Sequence, residues 1–377
     1  MGKPLGQLTI KGFKSIESLE DFKLNALNVL IGGNGSGKSN FIDVFRMLRA
    51  MMELSLPDLS RSNLLSYMQS GGGIDAFLFN GPKTTQRIFI QLMSEKNGYR
   101  FYVVPTSGGE FTIEQEERYY SGGRAGWWDM GSGHTTPIIL KEKNERGAAG
   151  GRSVAHYIYN MIESWRIYHF HDTSKSAPMR RYEIIEDNAY LRYNAANLAS
   201  FLFRLRNEEN PAYNQIVQTV RLVTPFFGDF LLALRKSGEA TQVNLSWTQK
   251  GSDYPFQPYH LSDGTIRFIC LATALLQPDP PSTLIIDEPE LGLHPYAIEI
   301  LAELIRSASE RTQIIVSTQS PALVDSFDPE DIVVVNRKDG ASTFERLDQH
   351  ALSEWLENYS LGELWRKNIL TGGPAHE

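Results

Sequence analysis

A glycine-rich loop between a strand-like and a helix-like segment restricts the fold of this chain most strongly. Residues 27–31 read "LNVLI", an apolar run of strand type, and residues 32–39 read "GGNGSGKS". After that loop, apolar residues recur at helical spacing as far as residue 48. Strand, loop and helix in this order form the P-loop pattern, in which glycines let several backbone N–H groups turn toward phosphate oxygens. The sequence therefore predicts a site for the phosphates of a nucleotide.

The residues of this loop have distinct expected roles. The helix N-terminus adds its positive dipole end to the phosphate site. Lys38 is expected to reach the β- and γ-phosphates, and Ser39 is expected to hold Mg²⁺. The candidate nucleotide-binding residues here are Gly32, Asn34, Gly35, Ser36, Gly37, Lys38, Ser39 and Asn40. By itself, the loop does not distinguish kinases, GTPases and motor ATPases.

A second apolar segment ends in two adjacent carboxylates. Residues 283–295 read "TLIIDEPELGLHP", in which the strand pattern "TLII" leads into Asp287 and Glu288. A carboxylate at a strand tip beside a P-loop is suited to Mg²⁺, so Asp287 joins Ser39 as a candidate metal ligand. Glu288 is the candidate general base, which accepts a proton from the water that attacks the γ-phosphate.

Two further stretches complete the set of motifs. Residues 313–321 read "QIIVSTQSP", a strand pattern with a polar tip at the position where a parallel sheet has its active edge. Residues 261–265 read "LSDGT", a short polar turn that opens an apolar helix.

With these motifs in this order, the chain resembles the ABC-type ATPases, and more narrowly their RecF, SMC and OLD-like branch, which includes ATPases of bacterial anti-phage systems. The resemblance covers roughly residues 5–80 and 240–340. It implies an α/β fold, namely an ABC-type P-loop ATPase head with an antiparallel β subdomain and a helical insertion. It also implies ATP and Mg²⁺ as cofactors, and a homodimer that forms head to head across two ATP molecules.

The resemblance gives the "LSDGT" turn and the polar strand tip their expected roles. Ser262, Asp263 and Gly264 are expected to contact the γ-phosphate held by the P-loop of the other subunit, with an ordinary helix cap by Ser262 as the alternative. Gln319 is a candidate catalytic residue at the position where many of these ATPases have a switch histidine. Because glutamine cannot carry a charge, slow turnover is expected.

The same resemblance suggests further nucleotide contacts in the first half of the chain. Lys14 and Ser15 are expected to lie over the nucleotide, with a solvated surface lysine as the alternative for Lys14. Gln69 is the candidate sensor of Mg²⁺ and the γ-phosphate, and Gln91 is its rival for that role.

The middle of the chain shows two patterns. Residues 83–145 alternate between apolar and polar, which predicts antiparallel strands, and from about residue 155 the spacing is helical. The expected domains are 1–154, the first half of the head with the P-loop; 155–235, a helical insertion; and 236–377, the second half of the head. No sustained heptad pattern occurs, so a long coiled-coil arm is not expected.

Composition limits the location and the partners of the protein. The net charge of −7 argues against coating DNA by bulk charge, although it leaves room for a local basic surface. The single cysteine, Cys270, lies in an apolar run and is expected to be a buried structural thiol. No membrane-spanning segment or signal peptide is recognisable, so a cytoplasmic location without a membrane partner is expected. The candidate DNA contacts are Arg180, Arg181, Arg204 and Arg206, with a plain solvated loop as the alternative for Arg180 and Arg181.

Together, these patterns predict a slow ATPase whose heads dimerise around two ATP molecules. A role in DNA repair or anti-phage defence is expected, with DNA as a candidate partner and with a separate effector such as a nuclease or toxin subunit. The tail after the last strand lacks an Asp-x-Asp pair and is too short for a Toprim nuclease domain, so this chain alone is not expected to cut nucleic acid. The alternative is a regulatory nucleotide switch, in which bound ATP restrains or recruits an effector with little turnover.

Overall fold

The computed structural model describes residues 3–55, 62–122, 125–147 and 151–370. Its strands, in chain order, are β1 (Gln7–Phe13), β2 (Ile16–Lys23), β3 (Leu27–Ile31), β4 (Ile88–Ser94), β5 (Asn97–Pro105), β6 (Phe111–Tyr120), β7 (Gly126–Gly131), β8 (Arg166–Tyr168), β9 (Glu183–Ile184), β10 (Phe227–Leu231), β11 (Arg235–Ser237), β12 (Ala240–Val243), β13 (Ser246–Gln249), β14 (Thr283–Asp287), β15 (Gln313–Thr318), β16 (Ile332–Lys338) and β17 (Ala341–Arg346).

The helices, in chain order, are α1 (Lys38–Met52), α2 (Leu64–Ser70), α3 (Ile139–Glu142), α4 (Val154–Ser164), α5 (Leu198–Glu208), α6 (Asn210–Val223), α7 (Asp263–Leu276), α8 (Pro295–Ser309), α9 (Pro321–Val324), α10 (Gln349–Leu356) and α11 (Leu361–Arg366). The longest helices in the described ranges, α1 and α8, have 15 residues each. No helix in these ranges is long and apolar enough to cross a bilayer.

A mostly parallel sheet forms the centre of the molecule. Its strand order is β17-β16-β3-β15-β14-β8, and every neighbouring pair is parallel except β16 with β17. Strands β3, β14 and β15 are buried along their whole length, as is typical of parallel strands covered on both faces. Because β3, β15 and β14 are neighbours, the P-loop, the polar strand tip and the acidic pair all follow from one edge of this sheet.

The second large sheet is antiparallel, with the order β2-β1-β4-β5-β6-β7. Along β4 buried and half-buried residues alternate, which is the period-two pattern that predicted strands in this part of the sequence. The predicted α/β fold with an antiparallel β subdomain is therefore confirmed.

Two apolar cores lie on opposite faces of the central sheet. Helices α1 and α4 pack between one face and the antiparallel sheet, and share a core with Ile285 and Ile315. Helices α5 to α8 cover the other face, where Ile286 and Val316 join the second core. Cys270 of α7 is fully buried in this second core, and burial raises the pKa of its thiol. The expected structural role of that cysteine is confirmed.

The segment 155–235, which the sequence predicted to be helical, also contributes a strand to the central sheet. Strand β8 has three residues and pairs in parallel with β14. Hydrophobic periodicity does not resolve so short a strand between α4 and α5. The segment also supplies β9 and β10 to two small antiparallel sheets, β11-β12-β9 and β10-β13.

Helix α11 packs against α9, the helix that follows the polar tip of β15. The backbone N–H of Gly362 in α11 donates to Asp325 Oδ1, just after α9, at 2.5 Å. A Cβ added at Gly362 would overlap the Pro321 carbonyl oxygen and lie 2.7 Å from Asp325 Oδ1. Only glycine fits at this close approach between the two helices.

We therefore expect Gly362→Ala to lower the free energy of unfolding by about 1–3 kcal/mol, the usual cost of overpacking. Urea-induced unfolding measures the change. Gly126→Ala is the matched control, because an added Cβ there meets no atom within 4 Å, and its effect should stay within about 0.5 kcal/mol. Equal effects of the two variants would contradict the packing argument.

Candidate nucleotide-binding and hydrolysis site

The P-loop follows β3 and is supported by the hairpin of β16 and β17. Gly37 has a φ of 114°, and a Cβ added there would overlap the hydroxyl group of Ser342 at the start of β17. That hydroxyl donates to the backbone oxygen of Ser36 at 2.6 Å. The glycine therefore permits both the left-handed turn of the loop and the close approach of Ser342.

Lys38 lies inside the loop, with its side chain almost fully buried. Its Nζ donates to the carbonyl oxygens of Gly32 and Gly33 at 2.6 and 3.1 Å. Burial lowers the pKa of Lys38, while the carboxylates of Glu288 and Asp287 oppose that shift. The ammonium group is therefore held within the loop by two carbonyl oxygens and lies within electrostatic range of the acidic pair.

The two candidate metal ligands are oxygen donors at the same edge of the sheet. Ser39 is exposed in the first turn of α1, and Asp287 is a mostly buried carboxylate at the end of β14. A hydroxyl and a carboxylate beside phosphate oxygens suit the preference of Mg²⁺ for oxygen ligands. Arg46 of α1 lies 3.9 Å from Asp287 Oδ2 and balances part of its charge.

Glu288 has an unusual backbone conformation. Its φ is 46°, which is uncommon for a residue with a side chain, and its backbone N–H donates to the Ser317 oxygen of β15 at 2.8 Å. The side-chain amide of Gln319 donates to Glu288 Oε1. The structure thus brings the two candidate catalytic residues into direct contact, on neighbouring strand ends.

Glu290 is a site residue that the sequence analysis missed. It is 8% exposed, and its Oε1 accepts hydrogen bonds from Thr318 Oγ1 at 2.6 Å and from the backbone N–H of Gln319 at 3.0 Å. Burial raises its pKa. The sequence did offer a signal, because "DEPE" places a third carboxylate two residues after the pair.

Two histidines that follow β8 also lie at this edge and were not assigned to it from the sequence. His171 Nε2 donates to the backbone oxygen of Asp287 at 3.1 Å, and the His169 and His171 rings are 3.8 Å apart. Burial and the nearby His171 and Arg46 lower the pKa of His169, which favours its neutral ring. No group of three or more His, Cys, Asp or Glu in the described ranges is arranged to hold a metal.

The structure places Lys14 against helix α1. Its Nζ pairs with Asp43 and lies 4.5 Å from the centre of the Phe77 ring. Tyr67 of α2 donates to the same Asp43 at 2.6 Å. In this arrangement Lys14 links the turn after β1 to α1 and α2.

Ser15 and Asn40 lie in the hydrogen-bond network around Ser342. The Ser15 and Ser342 hydroxyl groups are 2.7 Å apart, and Asn40 Nδ2 donates to Ser15 Oγ at 2.7 Å. Ser15 is buried, so in this network it supports the loop from within. Gln69 is exposed on α2, and its rival Gln91 lies in β4.

The "LSDGT" turn forms the start of α7. Ser262 Oγ accepts from the backbone N–H of Thr265 at 3.1 Å, so the helix cap that the sequence offered as an alternative is present. Ser262 and Asp263 are both exposed. A Cβ added at Gly264 would lie 2.5 Å from the backbone oxygen of Gly292, in the loop between Glu288 and α8. The turn therefore packs against the loop between Glu288 and α8 of its own subunit.

Arg180 holds this turn, and its predicted contact with nucleic acid is wrong. Its side chain is 4% exposed and donates to the carbonyl oxygens of Pro258 and Leu261 at 2.5 and 3.1 Å and to Asp263 Oδ1 at 2.9 Å. A guanidinium so enclosed is not available to a phosphate backbone.

The other three candidate DNA contacts differ in exposure. Arg204 and Arg206 are half-buried and donate to backbone carbonyl oxygens of the insertion, at 2.8 and 3.4 Å. Arg181 is exposed. Of the four arginines, Arg181 is therefore the one whose side chain is most accessible to a partner.

Comparison with known families agrees with this geometry. A family model described as "AAA domain, putative AbiEii toxin, Type IV TA system" matches residues 27–325. The chain belongs to this family. No curated protein has a matching sequence. The P-loop, the acidic pair and the strand tip of this AAA-domain family member all lie within the matched residues.

The fold is that of SMC heads. A structure of an SMC head bound to the C-winged helix domain of ScpA has a TM-score of 0.55 at 16% identity, over 93% of this chain and 99% of that chain. An SMC head with an extended coiled coil bound to the C-terminal domain of ScpA, from Pyrococcus furiosus, has a TM-score of 0.52 at 16% identity, over 94% of this chain and 98% of that chain. The resemblance to RecF/SMC-like ABC-type ATPases is confirmed.

Proposed function

We propose that this AAA-domain protein binds ATP with Mg²⁺ and hydrolyses it slowly at a site that two copies of the chain complete together. The observation that carries the proposal is the convergence of Lys38 in its loop, Asp287 at the end of β14, and the contacting pair of Glu288 and Gln319 at one sheet edge. Membership of the AAA-domain family and the fold of an SMC head support this proposal.

Each residue has a chemical task in this proposal. Lys38 leaves the carbonyl oxygens of the loop and binds the β- and γ-phosphates as a charged donor. Ser39 and Asp287 would hold Mg²⁺, which neutralises phosphate charge. Glu288 accepts the proton of the attacking water, and Gln319 orients that water or a γ-phosphate oxygen as a neutral donor.

The second subunit is proposed to contribute the start of α7. Ser262 is exposed at the N-terminus of a 14-residue helix, where a hydroxyl and a dipole end both suit a phosphate. ATP would then join two heads, and hydrolysis would release them. We place this cycle in DNA repair or anti-phage defence in the cytoplasm, coupled to a separate effector such as a nuclease or toxin subunit.

One contact favours the regulatory switch as the second candidate. The amide of Gln319 donates to Glu288 Oε1, so one oxygen of the candidate base already accepts a hydrogen bond from a neutral donor. A head in this arrangement would hold ATP for long periods and act through its conformation. The rate of turnover distinguishes the two candidates.

The test uses purified protein, with phosphate release and molar mass measured with and without ATP and DNA. Lys38→Ala removes the buried charged donor of the loop, and since such hydrogen bonds contribute about 1.5–3 kcal/mol, ATP should bind about 10- to 100-fold more weakly. Lys236→Ala, on the exposed strand β11, is the control and should bind ATP normally. If Lys38→Ala binds ATP as tightly as wild type, the proposed site is wrong. ATP binding without measurable turnover favours the switch.

A further inference from the structure

Glu290 makes contacts that no assigned role explains. It follows the candidate base by two residues, yet its side chain turns back into the sheet and is 8% exposed. One oxygen, Oε1, accepts both of the hydrogen bonds that the side chain makes to its neighbours, from the hydroxyl of Thr318 and from the backbone N–H of Gln319. Burial of a carboxyl group is costly unless its hydrogen bonds are retained. The other oxygen, Oε2, is buried without a hydrogen-bond partner in the described residues, so the two bonds to Oε1 alone hold this side chain in place.

The partners of Glu290 are the two residues at which the chain leaves β15. Thr318 is the last residue of the strand, and its Oγ1 also accepts the backbone N–H of Ser320 at 3.0 Å. Gln319 lies beyond the strand, where no neighbouring strand pairs with its N–H group. Glu290 thus accepts the hydrogen bond of the Gln319 N–H group, which no neighbouring strand accepts. It thereby fixes the backbone from which the Gln319 side chain extends.

That side chain reaches the candidate base. The amide of exposed Gln319 donates to Glu288 Oε1, while the backbone of Glu288 is itself held at a φ of 46° by its bond to Ser317. With both backbones fixed, only side-chain torsions of Gln319 remain free to move its amide between Glu288 and a bound γ-phosphate.

We propose that Glu290 is a positioning residue for hydrolysis, which sets the place of Gln319 relative to Glu288 and the γ-phosphate. This inference rests on the proposed function of Glu288 and Gln319. Glu290 makes no hydrogen bond to the loop or to Lys38 in the described residues, and its electrostatic effect on the pKa of Lys38 is smaller than that of Glu288 or Asp287. Its main effect should therefore fall on the rate of the chemical step rather than on the affinity for ATP. A group that orients another residue in this way is typically worth about 10- to 100-fold in activity.

The kinetic test replaces Glu290 by residues of similar length. Glu290→Met removes both acceptors, and kcat should fall about 10- to 100-fold with KM for ATP within about threefold of wild type. Glu290→Gln keeps an oxygen acceptor for Thr318 and Gln319, and should restore most of kcat. Glu299→Met, at an exposed position of α8, is the control and should behave as wild type.

A second measurement does not depend on turnover. Hydrogen exchange of a peptide spanning 317–324 should be faster in Glu290→Met than in wild type or Glu290→Gln, because the N–H of Gln319 loses its acceptor. If wild type itself does not hydrolyse ATP, the proposed function fails and a role of Glu290 in hydrolysis fails with it, whereas the exchange result still shows whether Glu290 holds the backbone of Gln319.

Thr318→Val tests the same contact from the other side without enlarging a cavity. Its effect on kcat should not add in full to that of Glu290→Met, because both variants remove the hydrogen bond between the two side chains. Should Glu290→Met fail to fold, kcat and KM of Thr318→Val carry the test, because hydrogen exchange in that variant also reflects the lost acceptor of the Ser320 N–H. Unchanged exchange, wild-type kcat in folded Glu290→Met, or fully additive effects of the two variants would each overturn the proposal.

Discussion

Glu288→Gln is expected to block ATP turnover while leaving ATP binding intact. Loss of a general base typically lowers the rate about 10²- to 10⁴-fold. The contact with Gln319 can survive this substitution, because the glutamine oxygen can still accept the hydrogen bond that Glu288 Oε1 accepts now. The backbone at φ 46° and its bond to Ser317 involve no side-chain atom. The substitution removes the negative charge of Glu288, which also acts on Lys38, and with it the ability to accept a proton.

Two measurements check this prediction. Single-turnover phosphate release gives the rate, and size-exclusion chromatography with light scattering shows whether trapped ATP stabilises a dimer. Glu354→Gln, at an exposed position of α10, removes the same charge elsewhere and should leave both unchanged. Near-normal hydrolysis by Glu288→Gln would show that another group is the base.

The local motifs of this site could be predicted from sequence because each is built from consecutive residues. The strand, loop and helix around Lys38 contain their own signal, and so does the strand that ends in Asp287. Parallel strand order then brings these ends together, which the alternation of strand and helix patterns already implies. Most of the α/β fold and of the candidate ATP site could therefore be predicted from short segments of consecutive residues.

The contacts that the sequence analysis missed join residues far apart in the chain. Ser342 meets the loop through the β16–β17 hairpin, more than 300 residues later, and His171 reaches Asp287 because β8 pairs with β14. A three-residue strand and a single serine carry no periodicity to detect. For Arg180 the error is of the opposite kind. Its charge suggested an exposed side chain that could contact DNA, but in the structure this side chain is buried beneath the "LSDGT" turn.

Ser262→Arg is expected to abolish ATP-driven dimerisation and turnover while each monomer still binds ATP. Ser262 is exposed at the start of α7, so an arginine fits in the monomer but would obstruct a phosphate brought by a second head. The substitution also removes a helix cap worth about 1 kcal/mol. Ser262→Ala loses the same cap without adding bulk, so it is the control for that effect and should dimerise with ATP more readily than Ser262→Arg.

The decisive measurement mixes Ser262→Arg with Lys38→Ala. In their heterodimer, the first subunit supplies an intact P-loop and the second an intact α7 start, so one complete site forms. Because neither variant forms its own ATP-bound homodimer, ATP should select the heterodimer, and with independent sites turnover should recover to at most about half of the wild-type value, one complete site in two. If two well-folded variants yield neither turnover nor ATP-dependent heterodimers on mixing, Ser262 does not act across the interface and serves α7 alone.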